Sequence, residues 1–239
     1  MNWNEMIYKR KSCRSFTGTP VAESMLETVK ALALKPLYPE IRVHWEIVPR
    51  EQVKCLCPWT TPQVITVYSE KKPGYLENVG FLFQQMDLKL QSFGLGVCWL
   101  GMGRLDTQSA REIDGMEFVI MLAFGPPKGN LLRKDAGDFK RKTLSEISDR
   151  EDPLLEPARL APSSVNSQPW YFTHSGDAIH AYCARKGILK SALSEMNQID
   201  VGIALAHLYA ANPDTFRFFK TEQAMPVKGY AYIGSVQLK

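Results

Sequence analysis

Residues 161–170 read Ala161-Pro162-Ser163-Ser164-Val165-Asn166-Ser167-Gln168-Pro169-Trp170, and this segment carries more chemical information than any other part of the chain. Two prolines, three serines, an asparagine and a glutamine make it a loop rich in hydrogen-bond donors and acceptors. A loop of this kind usually lies on the surface and caps the neighbouring helix. Here it leads into Trp170 at the predicted start of a strand, so it can also form the wall of a ligand pocket.

A second polar segment, residues 8–16 (YKRKSCRSF), follows a short helix predicted over residues 2–10. Its cationic side chains and hydroxyl groups lie within a few residues of each other, which suits a phosphate or a ring carbonyl. The simpler interpretation is a solvated helix C-terminus, where Lys and Arg complement the helix dipole. Taken alone, this segment favours the simpler interpretation.

The rest of the first half is predicted to be a mixture of helices and strands. Apolar residues recur at helical spacing over residues 75–93, and this long helix is apolar nearly all round, as a helix packed on several sides must be. Gly94 and Gly96 follow it, where a left-handed cap is needed. A shorter helix is predicted over residues 22–33, and the extended segments are predicted over residues 42–48, 63–68, 97–100 and 118–124.

The second half repeats this order of elements. Helices are predicted over residues 154–160 and 188–211, and strands over residues 170–173, 179–183 and 229–236. The tripeptides Asn78-Val79-Gly80 and Asp200-Val201-Gly202 each open the apolar core of a long helix. Any α+β protein can show helix, strand and helix twice, but recurrence in a fixed order also indicates an internal duplication.

The fold class predicted from these patterns is α+β, with two tandem diverged halves packed through their long central helices. Glycine and proline mark a linker between residues 125 and 137. We therefore predict a first half at residues 1–135 and a second half at residues 136–239.

The two polar segments resemble motifs of the FMN-dependent nitroreductase family. Members of that family share an Arg-Arg-Ser-x-Arg-like turn and an Ala-Pro-Ser-x-x-Asn-x-Gln-Pro-Trp loop. This chain has Arg10-Lys11-Ser12-Cys13-Arg14 and carries the second motif nearly letter for letter. The resemblance extends to the long helix and the Gly-Leu-Gly segment at residues 77–100 and to the basic segment KRKTLSE at residues 140–146, so it covers most of the chain.

The resemblance implies an FMN cofactor and assigns it a set of contacts. The residues that would meet the phosphate and ribityl chain are Arg10, Lys11, Lys140 and Lys142. Those near the pyrimidine edge would be Ser12 and Arg14, and Leu100 and Gly101 would pass the ring edge. The residues that would line the opposite side of the ring system are Pro162, Ser163, Ser164, Asn166 and Gln168.

One feature departs from the family pattern. In ordinary members the Pro-Ser-x-x-Asn-x-Gln-Pro-Trp loop follows the basic turn by about two dozen residues, whereas here it lies in the second half; residues 33–40 stand at the ordinary position and have lost the Ser, Asn and Gln. Ordinary members are homodimers that hold flavin between subunits. The resemblance therefore implies that one chain mimics that dimer, with one complete and one decayed site, one FMN per chain and a monomeric protein.

The function implied by the resemblance is an oxidoreductase that takes hydride from NADH or NADPH and reduces a nitroaromatic, a quinone or a similar small molecule by a ping-pong cycle. The flavin would carry this chemistry, so no catalytic side chain is assigned. Two alternatives remain open: a non-catalytic flavin-binding or flavin-storage protein, and a binding domain whose flavin site has decayed. Retention of both the basic turn and the polar loop counts against the last. The sequence leaves open the physiological acceptor and the choice between NADH and NADPH.

Composition excludes several other classes of protein. The net charge is +4, but the basic residues are scattered, so nucleic acid is not an expected partner. No apolar run reaches the roughly 18 residues of a membrane-spanning helix, and the N-terminus is unlike a signal peptide, so we expect a soluble cytoplasmic protein.

The five cysteines are an odd number without an export signal, which favours free thiols, and the pair Cys55 and Cys57 lacks partners at metal-site spacing. We expect no metal.

Two polar residues fall on the apolar stripe of the second long helix. Asp200 and His207 can form a buried polar relay there, but a histidine satisfied within a protein core is the more frequent case. The sequence therefore assigns neither residue a functional role.

Overall fold

The computed structural model describes residues 2–55, 61, 63–106, 110–185 and 191–239. The chain forms two compact units, which are described separately below. Unit 1 comprises Met1–Tyr75 and Met86–Lys134, and unit 2 comprises Leu76–Gln85 and Asp135–Lys239. Residues 76–85 belong to unit 2, and the division into halves at residues 1–135 and 136–239 remains a prediction.

Unit 1 is built on an antiparallel sheet. The strands of unit 1 are β1 (Val43–Pro49), β2 (Val53–Lys54), β3 (Gln63–Ser69), β4 (Gly96–Leu100), β5 (Arg104–Leu105), β6 (Glu112–Ile113) and β7 (Met116–Gly125). The main sheet has the order β1-β3-β7-β4, β6 pairs with β7, and β2 pairs with β5 in a separate ladder. Helix α1 spans Glu23–Lys30, and a 3-10 helix spans Trp3–Tyr8.

Helix α2 (Tyr75–Ser92) joins the two units covalently, and its bounds agree with the helix predicted over residues 75–93. The helix begins after Gly74, whose φ of 91° places it in the left-handed region that favours glycine. Leu95 donates its backbone N–H to the carbonyl of Leu90 just beyond the end of the helix, which is the pattern of a C-terminal cap.

Unit 2 contains a second antiparallel sheet. Its strands are β8 (Trp170–Ser175), β9 (Ala178–Ala184), β10 (Arg217–Phe219) and β11 (Tyr230–Gln237), in the order β10-β11-β9-β8. Its helices are α3 (Leu144–Ile147), α4 (Glu156–Arg159) and α5 (Ser191–Ala211). The predicted strands at 170–173, 179–183 and 229–236 are each present, whereas the three-residue strand β10 is too short to leave a periodic signal. The prediction for the second long helix began at residue 188, and residues 188–190 lie outside the described residues.

Within unit 2, residues 76–85 of α2 cross α5 at two glycines. A Cβ atom added to Gly80 would lie 2.1 Å from the carbonyl oxygen of Ile199, and one added to Gly202 would lie 2.1 Å from that of Glu77. Each glycine therefore touches the backbone three residues before the glycine of the other helix. This reciprocal contact explains why residues 76–85 pack with unit 2.

None of the helices in the described ranges is both long enough and apolar enough to cross a bilayer.

Candidate functional site

The loop at residues 163–168 adopts a strained backbone conformation. Ser164–Asn166 form a 3-10 turn, and Val165, Asn166 and Gln168 have φ angles of 48°, 58° and 48°. Non-glycine residues rarely occupy this left-handed region, and a β-branched residue such as Val165 is least suited to it. Val165 is also 90% exposed, so its own packing does not hold it there. The conformation must be held by the contacts of its neighbours.

Arg141 provides several of those contacts. Its Nε donates to the carbonyl of Ala161 at 2.9 Å, and its Nη1 donates to the carbonyl of Phe139 at 2.9 Å and to Oδ1 of Asn166 at 2.5 Å. The Nδ2 of Asn166 donates a hydrogen bond to the carbonyl of Lys140 at 3.0 Å. These bonds join the basic segment at residues 139–142 to the loop.

Gln168 makes the second connection between the same two segments. Its Oε1 accepts the backbone N–H of Lys142 at 2.8 Å, and the Nζ of Lys142 donates to the carbonyl of Gln168 at 3.1 Å. The backbone N–H of Gln168 donates to Oγ of Ser163 at 2.9 Å. Gln168 is buried, and both ends of its side chain are hydrogen-bonded within the loop region, because its Nε2 donates to the carbonyl of Asn166.

Asp200 anchors the start of the loop from helix α5. Both carboxylate oxygens lie 3.1 Å from the backbone nitrogen of Ser164, and the residue is only 3% exposed. An N–H that donates to a buried carboxylate forms one of the stronger classes of hydrogen bond. The sequence marked Asp200 as a polar residue on an apolar stripe but did not connect it to the loop.

The basic turn of unit 1 is organised around a buried ion pair. Nη2 of Arg10 lies 3.1 Å from Oδ2 of Asp87, and the two side chains are 1% and 0% exposed. Burial raises the pKa of Asp87, although the neighbouring Arg10 guanidinium and hydrogen bonds from Gln91 and Trp99 act in the opposite direction. Arg10 therefore has a carboxylate partner within its own unit, which its assignment to the phosphate did not anticipate.

The other predicted residues of unit 1 lie along the edge of the sheet. Ser12 pairs with Val97 of β4 in a parallel bridge, and its Oγ accepts from Nη2 of Arg10 at 3.4 Å. Leu100, the last residue of β4, is buried, whereas Lys11, Arg14 and Gly101 are exposed.

The structure thus brings one group of predicted residues together within unit 2. The predicted residues that share its hydrogen-bonded network are Lys140, Lys142, Ser163, Ser164, Asn166 and Gln168. Pro162 is buried beside them in the chain. Sequence reasoning missed Arg141 and Asp200. Arg141 stood between two assigned lysines in the quoted basic segment, but its role depends on acceptors about 20 residues away.

His207 is a buried, hydrogen-bonded residue in the core of unit 2. Its Nε2 lies 3.0 Å from Nε2 of Gln84, its Nδ1 lies 2.9 Å from the carbonyl of Pro157, and it is fully buried. This agrees with the interpretation of His207 as a satisfied core histidine.

In the described part of the chain, the cysteines form no disulfide bond with one another and no cluster of side chains is placed to bind a metal ion. Cys13, Cys55, Cys98 and Cys183 are not joined to one another by disulfide bonds, and Cys57 lies outside the described residues. Across residues 2–55, 61, 63–106, 110–185 and 191–239, no group of three His, Cys, Asp or Glu side chains is placed to hold a metal ion.

The chain belongs to the nitroreductase family: residues 2–212 match the family model described as "Putative TM nitroreductase". A crystal structure of a "putative nitroreductase" from Thermotoga maritima MSB8 is similar over 100% of this chain and 94% of that chain, with 22% identity and a TM-score of 0.70. A nitroreductase family protein from Clostridium difficile 630 is similar over 64% of this chain and 99% of that chain, with 20% identity and a TM-score of 0.51. No curated protein matches the sequence. The fold is therefore nitroreductase-like and α+β, as predicted.

The donor groups within each unit fit the anionic, carbonyl-bearing cofactor that the sequence predicts. In unit 1, Nε of Arg10 is buried and has no hydrogen-bond partner among the described residues, so a strong donor is left for an external acceptor. In unit 2, the ammonium-bearing side chain of Lys140 is exposed beside the loop. In the side-chain amide of Asn166, Oδ1 accepts one hydrogen bond from the protein and Nδ2 donates one. An amide oxygen can accept a second bond and an amide nitrogen can donate a second, so Asn166 retains capacity for a ligand.

Proposed function

We propose that this protein is an FMN-dependent oxidoreductase that passes electrons from NADH or NADPH to a small organic acceptor such as a nitroaromatic or a quinone. The observation that carries the proposal is the loop at residues 163–168, whose strained backbone is hydrogen-bonded to the basic segment at residues 139–142. Strained backbone conformations concentrate at ligand-binding sites, where the surrounding structure maintains them. The same loop is the part of the chain that most closely follows the flavin motif of the family.

Four of the predicted residues, Arg10, Lys140, Lys142 and Ser164, have surroundings in their own unit that support a role in the site. Lys140 is exposed and can neutralise a phosphate, whereas Lys142 is tied to the carbonyl of Gln168 and combines charge with support of the loop. Arg10 holds Asp87 and offers its Nε–H to an acceptor. Ser164 is fixed through its backbone by Asp200, so the start of the loop that carries its hydroxyl is held in place.

Bound FMN would supply the two-electron chemistry, by accepting hydride from the nicotinamide and delivering electrons to the second substrate. The protein contributes binding, orientation and charge. The fixed loop and the basic side chains hold the cofactor, and no acid or base side chain needs to be assigned for this role.

We also propose one FMN per chain and a monomeric protein. This part of the proposal rests on the sequence motifs, because the basic turn occurs only in the first half and the polar loop only in the second. Flavin content should reach one equivalent per polypeptide, and light scattering should give the mass of one chain, 27.0 kDa. Two equivalents of flavin per chain would contradict the asymmetric arrangement.

The central test is the flavin content of the purified protein, followed by turnover. We expect isoalloxazine absorbance at about 450 nm, release of FMN on denaturation, and oxidation of NADH or NADPH with menadione or nitrofurazone as acceptor. A protein that binds FMN but turns over no faster than free FMN would support the flavin-storage alternative instead. A protein that takes up no FMN would overturn both.

A matched pair of asparagine variants sharpens this test. In both Asn166 and Asn212, Nδ2 donates to a backbone carbonyl at 3.0 Å, but Asn212 lies at the end of α5. Asn166→Ala should weaken FMN binding at least tenfold, whereas Asn212→Ala should leave it unchanged. Equal effects would remove the loop from the cofactor site.

A further inference from the structure

The strained loop must be stabilised by contacts with other residues, because three of its residues occupy the disfavoured left-handed region of backbone conformation. Val165, Asn166 and Gln168 all have positive φ, and the exposed side chain of Val165 gains nothing from packing. Arg141 lies outside the loop, and its side chain contacts both Asn166 in the loop and the backbone carbonyls of residues 160 and 161 just before it.

The guanidinium of Arg141 is directed mainly at protein acceptors. Arginine has five N–H donors in a rigid plane. Arg141 makes four contacts with them: to the carbonyls of Phe139, Leu160 and Ala161, and to Oδ1 of Asn166. Most of its donor capacity is therefore used to join the backbone just before the loop, the carbonyl of Phe139 and the side chain of Asn166.

Lys142 also donates its ammonium group to the loop, at the carbonyl of Gln168, but Lys140 differs from Arg141 in this respect. Lys140 is exposed, and its carbonyl rather than its ammonium group takes part in the network by accepting from Asn166. A lysine at position 141 would carry the same charge but would present a single ammonium group, which cannot reproduce four contacts spread over a planar fork.

We propose that Arg141 is a positioning residue of the flavin site, which holds the loop at residues 163–168 in its binding conformation and does not bind the phosphate. This inference rests on the proposed function. It predicts that Arg141 supports binding of the ring-bearing part of the cofactor, whether or not a phosphate is attached. A phosphate contact would instead distinguish FMN from riboflavin.

The test is a comparison of FMN and riboflavin binding by the flavin-free full-length protein, measured by quenching of flavin fluorescence. Arg141→Gln and Arg141→Lys should weaken both ligands by the same factor, at least tenfold. The comparison variant Lys140→Gln should weaken FMN and leave riboflavin unchanged. Circular dichroism and thermal melting check that each variant is folded, and Arg141→Lys stands in if Arg141→Gln does not fold.

Hydrogen exchange in the flavin-free protein gives an independent measurement. The amides of residues 163–168 should exchange faster in Arg141→Lys than in the wild type, and at the wild-type rate in Lys140→Gln. Recovery of wild-type FMN binding by Arg141→Lys, or a loss confined to FMN, would overturn the proposal in favour of a phosphate contact. Unchanged binding of both ligands would also overturn it. If the wild type binds neither flavin, the proposed function itself fails.

Discussion

Asp200 accepts the backbone N–H of Ser164 with both carboxylate oxygens, each 3.1 Å from the nitrogen, although the two residues are 36 positions apart in the chain. A residue in the middle of helix α5 thereby fixes the start of the polar loop. Because the same helix is packed against α2 through Gly202, the loop is attached to a closely packed part of unit 2.

Loss of this carboxylate should destabilise the protein. Asp200→Ala leaves the N–H of Ser164 without its charged acceptor, and we expect the free energy of unfolding to fall by about 2 kcal/mol, the usual range for hydrogen bonds to charged groups. Urea denaturation of the flavin-free protein measures this. Glu195→Ala removes an exposed carboxylate from the same helix and should change the stability by no more than about 0.5 kcal/mol. Equal losses in the two variants would deny Asp200 its anchoring role.

The glycine crossing of α2 and α5 should not tolerate a methyl group. Gly→Ala inside an exposed helix normally stabilises by about 1 kcal/mol, but a Cβ on Gly80 or Gly202 would lie 2.1 Å from a backbone carbonyl oxygen. We expect each alanine variant to lose about 2 to 3 kcal/mol of unfolding free energy. The double variant should lose less than the two single losses combined, because both substitutions separate the same pair of helices.

Gly129→Ala is a suitable control for the crossing. A Cβ atom added to Gly129 would have nothing within 4 Å, and the φ of +91° at this residue causes backbone strain alone. The variant should lose about 1 kcal/mol. Neutral or stabilising effects of Gly80→Ala would show that the helices are not in close contact at that point.

The buried pair of Arg10 and Asp87 should be more costly to break than to replace. Arg10→Met leaves Asp87 buried without its cation and should lower the unfolding free energy by about 3 to 5 kcal/mol. The double variant Arg10→Met/Asp87→Leu should recover most of that loss, since no buried charge remains. Denaturant titrations of the flavin-free proteins compare the two, and a double variant as unstable as Arg10→Met would contradict this account.

The stability deficit of Arg10→Met should also depend on pH. Burial already raises the pKa of Asp87 above its ordinary value of 3.8, and loss of Arg10 removes an influence that lowers it. A raised pKa in the folded state means that the folded protein binds more protons than the unfolded chain, so stability falls as pH rises above 3.8. The deficit should therefore be larger at pH 8 than at pH 5, and Asp87→Asn in the same background should abolish the difference.

The hydrogen bond between His174 and Asp149 should affect stability in acid. Nδ1 of His174 lies 2.6 Å from Oδ1 of Asp149; partial burial opposes ionisation of this carboxyl, but hydrogen bonds from His174 lower its pKa overall. A lowered pKa contributes stability above the ordinary value of 3.8, and that contribution is lost as pH falls below it. In Asp149→Asn, the unfolding free energy should thus fall less steeply as the solution is acidified. The difference from the wild type should be less than about 1 kcal/mol, because the carboxyl is 37% exposed. Asp177→Asn, an exposed change in the turn after β8, should leave this pH dependence as in the wild type.

Much of the secondary structure follows from local patterns. The long apolar stripe predicted α2 to within a residue of its observed end, and the extended segments predicted from the sequence match β3, β8 and β9 with small errors in length. The short strands β2, β5, β6 and β10 were not predicted, because two or three residues cannot establish a period. Their pairing partners supply the hydrogen bonds that define them.

The candidate site was predicted less completely. The motif at residues 161–170 identified the polar loop, since its donors, acceptors and prolines are visible in the chain itself. Arg141 and Asp200 were missed, because an arginine next to lysines and a carboxylate on an apolar helix carry no sign of the backbone groups they will meet.

The sequence by itself therefore determined the class of the fold, the family and the loop, because periodicity, capping and motif spacing are properties of neighbouring residues. The tertiary structure alone decided that Arg10 would be buried against Asp87, that residues 76–85 would pack with α5, and that Arg141 and Asp200 would hold the loop. Each of these contacts joins residues that are far apart in the chain. Local chemistry sets what a side chain can do, and only the folded chain sets which partner it reaches.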